Sequence, residues 1–169
     1  MDLTPLGDAD RAAATALLAR ACRFDPADQV ADEKLFGPSP HGPTATWGAF
    51  DAGQLAGVIA VSAGWIRLLA VDPARRGKGI GCALLRQAEA TIREAGHATV
   101  RMLDQPGNYL APGIDARNVD LIGWLERRGY GRAGERTSLI VDVAANPRVS
   151  PERRARRRCS SSWRSARSR

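Results

Sequence analysis

A short basic segment punctuated by glycines carries the clearest chemistry in this sequence. It reads Arg75-Arg76-Gly77-Lys78-Gly79-Ile80-Gly81 and lies between an apolar run and an alanine- and leucine-rich run. Glycines let the backbone adopt positive φ and approach a ligand closely, and the N–H groups at a helix N-terminus form a partly positive anion site. With three cationic side chains beside it, the segment predicts a site for a phosphate or pyrophosphate group. The alternative is an ordinary basic turn that caps a helix.

This segment needs a strand before it and a helix after it. The apolar run predicts a strand over 65–71 that stops at Asp72-Pro73, and helical spacing predicts a helix that begins after the loop and ends at Gly96. The strand follows a predicted hairpin, so three antiparallel strands precede the loop. That order excludes the P-loop and Rossmann folds, which need a parallel βαβ opening, and Lys78 is followed by glycine where a P-loop has Ser or Thr.

The rest of the chain alternates between helical and strand patterns. Helices are predicted over 8–20, 26–36 and 118–128, and strands over 3–6, 44–50, 54–62, 98–103 and 130–143. Turn residues predict loops over 37–43 and 104–115. The mixture of strands and helices favours an α/β or α+β fold.

The chain of 169 residues carries a net charge of +7, concentrated near its end. Nine arginines and one glutamate give residues 148–169 a net charge of +8, which leaves 16 basic and 17 acidic residues, a net of −1, elsewhere. Residues 147–169 are rich in arginine and serine with almost no aliphatic residues, which predicts disorder. We therefore expect one folded domain over 1–146 and a basic tail. The tail either binds nucleic acid or an anionic membrane, or it is a reading-frame artefact.

Cysteine usage bears on the compartment and on metal binding. Cys22, Cys82 and Cys159 are an odd number without CxxC spacing, which predicts reduced thiols in the cytoplasm rather than a disulfide framework. With only two separated histidines, no metal site is expected. No apolar run approaches the about 20 residues of a membrane helix, and the first residues lack the pattern of a signal peptide. We therefore expect a cytoplasmic protein that binds no membrane through its folded part.

Two stretches resemble the signatures of the GNAT family of N-acetyltransferases. The first runs from Leu69 to Gly81, and within it Arg76, Gly79 and Gly81 match the family pattern Gln/Arg-x-x-Gly-x-Gly/Ala. The second is Asn118 followed by a helix that ends at Gly129-Tyr130. The resemblance covers roughly residues 1–143. It implies a layered α+β fold, with a GNAT-like mixed, mostly antiparallel twisted sheet that is flanked by helices and has splayed central strands. It also implies acetyl-CoA as the acyl donor.

The resemblance also implies a role for each matching position. Backbone groups of the strand would pair with the pantetheine arm of coenzyme A, loop amides would hold its pyrophosphate, and the asparagine would hydrogen-bond the pantetheine region. These cofactor-binding residues are Leu69, Ala70, Val71, Arg76, Gly77, Lys78, Gly79, Ile80, Gly81, Cys82 and Asn118. A deprotonated amine would attack the thioester directly, with catalysis resting on positioning, carbonyl polarisation, a general base and a general acid.

The catalytic residues are where the sequence first departs from the family pattern. Many members have a tyrosine seven residues after the asparagine, which protonates the leaving thiolate, but here that position is Leu125. Our substitute is Tyr109 in the loop after the fifth predicted strand, although its ring could simply pack on that loop. Asp104 and Asp115 flank the same loop, and either is a candidate for the base or for a carboxylate that binds the amine. Cys82 is either a reactive thiol at a helix N-terminus or a small packing residue.

The second departure lies after the last helix. One clear strand, over 139–143, follows where family domains close with two, and this ending resembles the N-terminal half of a tandem acetyltransferase. A further copy or a homodimer partner could supply the other strand. The leading prediction is an N-acetyltransferase that acts on an amine of a small molecule or peptide. A non-catalytic acyl-CoA-binding or regulatory domain and a nucleic-acid-binding protein driven by the tail remain as alternatives.

Overall fold

A computed structural model describes residues 1–105 and 113–135. Its sheet has the strand order β1-β2-β3-β4-β5, in which β1 to β4 pair antiparallel and β5 lies parallel to β4. The strands are β1 (Asp2–Pro5), β2 (Ala45–Asp51), β3 (Gln54–Ser62), β4 (Trp65–Val71) and β5 (Arg101–Met102). The helices are α1 (Arg11–Ala21), α2 (Ile80–Glu94) and α3 (Val119–Glu126). The predicted α+β fold with a mostly antiparallel sheet is confirmed.

The hairpin of β2 and β3 forms at the predicted turn. Ala52 and Gly53 have φ values of 51° and 73°. Two successive positive φ values are the signature of the tight type I′ turn, whose twist matches that of the strands it joins. The turn therefore fixes the register in which β2 pairs with β3.

Helices cover both faces of the sheet because residues along each strand alternate between them. On β3, Ile59 and Val61 pack with the buried residues of α2, whereas Val58 and Ala60 pack with those of α1. The apolar stripe predicted for α2 is buried at Leu84, Ala88 and Ile92. Burial of one large aliphatic side chain contributes roughly 1.5–3 kcal/mol, so these two layers hold the sheet that carries the site.

The predicted helix over 26–36 is wrong in type. The structure has a 3-10 turn, Ala27–Val30, and then a single π-helical turn, Asp32–Phe36. The guanidinium of Arg67 donates a hydrogen bond to the carbonyl oxygen of Glu33 (3.2 Å), and the N–H of Gly37 bonds the oxygen of Asp32 one position earlier (2.8 Å). The side chain of Arg67 thus donates to the carbonyl oxygen of Glu33, which in an α-helix would accept from the N–H of Gly37.

Two other element boundaries also differ from the prediction. The strand expected over 98–103 is only Arg101–Met102, because Leu103 adopts a φ of 61° and leaves the extended conformation. The helix expected over 8–20 begins with a 3-10 turn, Asp8–Asp10, before α1, and the carboxylate of Asp10 accepts from the N–H of Gly7 (2.9 Å).

Several predicted features lie outside the described residues. These are Tyr109, the strand over 139–143, the domain boundary at 146 and the basic tail. Within the described ranges, no helix has the length and apolarity to cross a membrane, and no cluster of His, Cys, Asp or Glu could hold a metal ion.

Candidate functional site

A cavity of about 480 Å³ runs along the edge of β4. Its walls come from the segment after α1, from β4 and the loop that follows it, from the start of α2, and from α3. At one end lies the glycine loop, and the lining also includes the buried polar side chains Lys34, Arg67 and Gln105. The predicted phosphate site and a polar chamber therefore belong to one continuous space.

The cavity exists because β4 and β5 part after two residue pairs. Their described ladder ends where the N–H of Leu103 bonds the oxygen of Ile66 (2.9 Å). On the other side of β4 the register against β3 shifts, because Leu68 pairs with Ala60 and Ile66 with Val61. Arg67 is the extra residue of this β-bulge, which bends a strand and redirects its side chains.

The bulge also decides which backbone groups of β4 face the cavity. The N–H of Asp72 bonds the oxygen of Ala56, and hydrogen-bonded pairs alternate along an antiparallel ladder. The backbone of Ala70 therefore pairs with β3, while Leu69 and Val71 direct their N–H and C=O groups to the open edge. Of the three β4 residues predicted to bind the pantetheine arm through their backbone, this geometry favours Leu69 and Val71.

The glycine loop has the conformation of an anion cradle. Gly77 and Gly79 have φ values of 79° and 82°, and Gly79 is the N-cap of α2. A Cβ added at either glycine would meet no protein atom within 4 Å, so there is room for a ligand against the backbone. The first N–H groups of a helix have no partner within it, which leaves the amides of Ile80, Gly81 and Cys82 to bind an anion.

The basic side chains of the loop brace it against the sheet. Arg75 donates to the carbonyl oxygen of Asp51 (2.7 Å) and also contacts its carboxylate (3.5 Å). Lys78 lies 3.9 Å from the same carboxylate. Arg76 donates to the carbonyl oxygens of Val71 (3.3 Å) and Ala21 (3.1 Å). Arg75 and Arg76 also line the cavity, so their charges add to the attraction that the backbone amides offer an anion.

Arg128 adds a cation to this end of the cavity that sequence reasoning did not identify. Its guanidinium lies 3.9 Å from the ring centre of Trp124 and donates to the Sγ of Cys82 (2.8 Å). Trp124 in turn packs against Gly81, where an added Cβ would lie 3.4 Å from the ring. The signal that could have found Arg128 is its position four residues after Trp124, on the same helical face.

Asn118, the predicted ligand of the pantetheine region, lines the cavity at the start of α3. It is the N-cap residue, but its side chain makes no capping hydrogen bond. Its amide group is therefore not committed to the helix terminus and faces the space beside β4.

The two carboxylates predicted as catalytic candidates are held by neighbouring arginines. Asp104 pairs with Arg101, and Asp115 with Arg117 at 2.7 Å. The hydrogen bonds from Arg117 lower the pKa of Asp115 to about 2. Neither aspartate lines the cavity, so the structure does not bring them together with the glycine loop.

Asp25 is a cavity-lining carboxylate that the sequence analysis did not select. Burial raises its pKa, and the nearby charge of Asp115 raises it further. A carboxylate with a raised pKa is better matched to general-base chemistry near neutral pH than one with a lowered pKa. Asp25 follows α1 in a segment without helical or strand periodicity, which is why no pattern indicated it.

The position that carries tyrosine in many GNAT proteins is part of the core here. Leu125 is only 4 % exposed and packs with α2 and the sheet. Tyr130 packs against the core beneath the end of α3, where its hydroxyl donates to the carboxylate of Glu89 (2.8 Å) and burial raises its pKa. Tyr130 does not line the cavity, and Tyr109 lies outside the described residues.

The two described cysteines are both free thiols. Burial raises the pKa of Cys22 to about 11, which makes its thiol unreactive at neutral pH. Cys82 accepts a hydrogen bond from Arg128 at the first turn of α2, and its place in the cavity wall fits a packing role there.

Comparisons with known proteins agree with this architecture. The model of the acetyltransferase (GNAT) family matches residues 13–130. A search among curated proteins found no match by sequence. Among solved structures, the aminoglycoside 6′-N-acetyltransferase of Acinetobacter haemolyticus superposes with a TM-score of 0.61 at 14% identity, over 84% of this chain and 99% of that one.

Two further solved structures share the fold. A ribosomal-protein-alanine N-acetyltransferase from Brucella melitensis biovar Abortus gives a TM-score of 0.57 at 20% identity, over 84% of this chain and 99% of that one. AAC(6′)-Iy, in complex with the bisubstrate analogue CoA-S-monomethyl-acetylneamine, gives 0.61 at 14% identity, over 83% of this chain and 97% of that one. With the family model matched over most of its length, the chain belongs to the GNAT family of acetyltransferases.

Proposed function

We propose that this protein transfers an acetyl group from acetyl-CoA to the amine of a small molecule or peptide. The observation that carries the proposal is the continuous cavity. It joins a helix N-terminus suited to an anion to the open edge of β4 at Leu69 and ends among buried polar side chains. A long ligand with phosphates at one end and a reactive acyl group at the other matches that sequence of environments.

The described residues fit coenzyme A in chemistry as well as in space. The pyrophosphate would lie on the amides at the start of α2, where the open positions of Gly77 and Gly79 leave room for it. The cation of Arg128 would add attraction at the same end. The pantetheine arm would pair with the backbone of Leu69 and Val71, in the way a strand extends a sheet edge. When bound, the thioester supplies the activated acyl group.

The reaction we propose is a direct transfer. The amine nitrogen forms a bond to the acetyl carbon, the carbon–sulfur bond breaks with its electron pair on sulfur, and the nitrogen loses one proton. A backbone N–H of Leu69, already oriented into the open edge, would polarise the carbonyl oxygen as charge develops on it. Asp25 would accept the proton from the amine, directly or through water.

The leaving sulfur needs no side-chain acid at the position of Leu125. A thiol titrates near pH ~8.5, so a thiolate can depart and take its proton from water. The buried leucine nevertheless gives weight to the second candidate, a domain that binds acyl-CoA without transferring it. Both candidates would bind acetyl-CoA, but only the transferase would pass the acetyl group to an amine.

The test combines titration calorimetry with acetyl-CoA and a thiol-release assay over a panel of amines. Binding with thiol release that depends on the amine supports the transferase. Binding without release across the panel supports the acyl-CoA-binding domain. No binding at millimolar acetyl-CoA refutes both.

A further inference from the structure

The polar side chains in the cavity wall include two that are cationic and buried. Arg67 is 5 % exposed and Lys34 is 3 % exposed, and both line the cavity. Arg67 comes from the β4 bulge and Lys34 from the π-helical turn that packs on it. Neither residue belongs to the glycine loop that we assign to coenzyme A.

The guanidinium of Arg67 is held by neutral oxygens. Its Nη1 donates to the carbonyl oxygen of Gly37 (3.1 Å) and to the hydroxyl of Thr44, and its Nη2 donates to the carbonyl oxygen of Glu33 (3.2 Å). Across residues 1–105 and 113–135, its Nε has no hydrogen-bond partner and no carboxylate forms an ion pair with it, so the negative charge of Glu33 acts on it only from a greater distance. A buried charge is costly unless it is compensated, so this part of the cavity attracts an anion.

Lys34 strengthens that positive potential. Burial lowers the pKa of its ammonium group and the charge of Arg67 lowers it further, while the charge of Glu33 opposes these effects in part. The second effect means that the two cations act on one another. An anion bound near both cations would reduce this repulsion. It would also accept the hydrogen bond that the Nε of Arg67 lacks.

Gln105 adds a neutral polar side chain that is also buried in the cavity wall. Its side chain is 2 % exposed and lines the cavity, and among the described residues neither its Nε2 nor its Oε1 has a hydrogen-bond partner. Buried amides without partners are rare and cost stability. This amide can donate to a carboxylate oxygen through Nε2 and accept from an amine N–H through Oε1.

We propose that the acceptor is an amine that also carries a carboxylate, bound through Arg67, Lys34 and Gln105. The proposal rests on the proposed acetyl transfer and names its substrate class. A carboxylate has two oxygens for the donors that these side chains offer, and its amine would lie beside the oxygen of Gln105. The neighbouring cations would also lower the pKa of the bound amine, which raises the fraction in the nucleophilic, neutral form.

The first experiment compares acceptors that differ only in the carboxylate. L-Phenylalanine, its carboxamide and phenethylamine share one amine and one side chain, and other amino acids are tested as matched triplets. We expect the carboxylate member of the preferred triplet to have the highest kcat/KM, by roughly tenfold or more, which corresponds to one charge-assisted hydrogen bond. Equal or better turnover of the carboxamides overturns the proposal while leaving the transferase in place. Preference for O-phosphoethanolamine over every carboxylate also overturns it.

The second experiment does not depend on turnover. Calorimetry measures the binding of N-acetylated amino acids and of their carboxamides to the full chain with coenzyme A present. Tighter binding of the carboxylate form supports the proposal even if the protein is the non-catalytic alternative. Equal affinities for the two forms count against it, whether or not acetyl transfer occurs.

Gln105→Leu separates a binding role from a structural one. Because the amide has no partner in the fold, we expect the leucine variant to melt at the same or a higher temperature. Its KM should rise for both acceptors, because both lose the contact to the amine, and it should rise more for the carboxylate acceptor, which also loses the contact to its carboxylate. Gln29→Leu, at an exposed position outside the cavity, is the matched control. A lower melting temperature with equal losses on both acceptors would assign Gln105 to the core. Lys34→Met should likewise reduce the ratio between the two acceptors.

Discussion

The left-handed glycine at the start of α2 allows a test of the cofactor site with an internal control. Gly79 has a φ of 82° and lines the cavity, and Gly96, just after the other end of the same helix, has a φ of 85° and lies outside it. At both positions an added Cβ would meet no protein atom within 4 Å. Alanine in the left-handed region costs about 1 kcal/mol. Gly79→Ala and Gly96→Ala should therefore lose similar stability.

Their effect on acetyl-CoA affinity should differ. The new methyl group at residue 79 enters the space that we assign to the pyrophosphate and disturbs the adjacent amides. Loss of one charge-assisted hydrogen bond, about 1.5–3 kcal/mol, raises the Kd by roughly 10- to 150-fold. The methyl group at residue 96 lies away from that space, so Gly96→Ala should bind acetyl-CoA as the unmodified chain does.

Calorimetry gives the affinities, and thermal unfolding gives the stability of each variant. A loss of about 1 kcal/mol lowers the melting temperature by roughly 2–4 °C for a chain of this size. Equal acetyl-CoA affinity in the two variants would refute the assignment of the glycine loop to the cofactor. That comparison requires the two variants to have equal melting temperatures. A much larger decrease in the melting temperature of Gly79→Ala would show that the loop itself has rearranged.

Three further predictions test other parts of the cavity. Arg128→Met should weaken acetyl-CoA binding and make its Kd less dependent on salt, since the guanidinium beside Trp124 adds charge to the α2 terminus; Arg127→Met, outside the cavity wall, should do neither. Burial raises the pKa of Asp25 above its value of 3.8 in the unfolded chain, so its contribution to stability falls as pH rises through that window. Asp25→Asn should therefore melt higher than the unmodified chain near neutral pH and equal it in acid, and a constant difference would contradict this. Leu125→Tyr should destabilise the fold by about 1–3 kcal/mol through overpacking and should not raise kcat, as measured by unfolding and by thiol release.

The sequence was sufficient to predict the elements that follow from local rules. The hairpin came from its turn residues, α2 came from a helical apolar stripe ending at a glycine, and the glycine loop came from residue types that suit an anion. These signals are all contained in short windows of sequence. For the same reason, the strand before the loop and the antiparallel order of its neighbours were predicted correctly.

The polar chamber could not be predicted, because it depends on a bulge and on side chains far apart in the chain. Nothing in the windows around Lys34 and Gln105 indicates that both residues contact one cavity. Asp25 lies between the helices predicted over 8–20 and 26–36, where no pattern indicates a functional residue. The two aspartates chosen instead flank a predicted loop, but each has an arginine two or three residues away that holds it outside the cavity. Contacts between distant parts of the chain bring Lys34, Gln105 and Asp25 to one cavity, and such contacts leave no periodic pattern in the sequence.

The bulge at Arg67 connects the two ends of the proposed reaction. Ile66 and Leu69 pack on the α2 face of the sheet and Leu68 on the α1 face, so Arg67 is the residue that breaks the alternation. A strand that slips by one residue moves all of its side chains to the opposite face. Without the extra residue, the backbone groups that pair with β5 and the open backbone groups of Leu69 could not both face the same edge of β4. The same residue carries its guanidinium to the turn that presents Lys34. One local irregularity thus sets both the edge that would receive the acyl donor and the charge that would receive the acceptor, and this is why we expect donor and acceptor to meet beside β4.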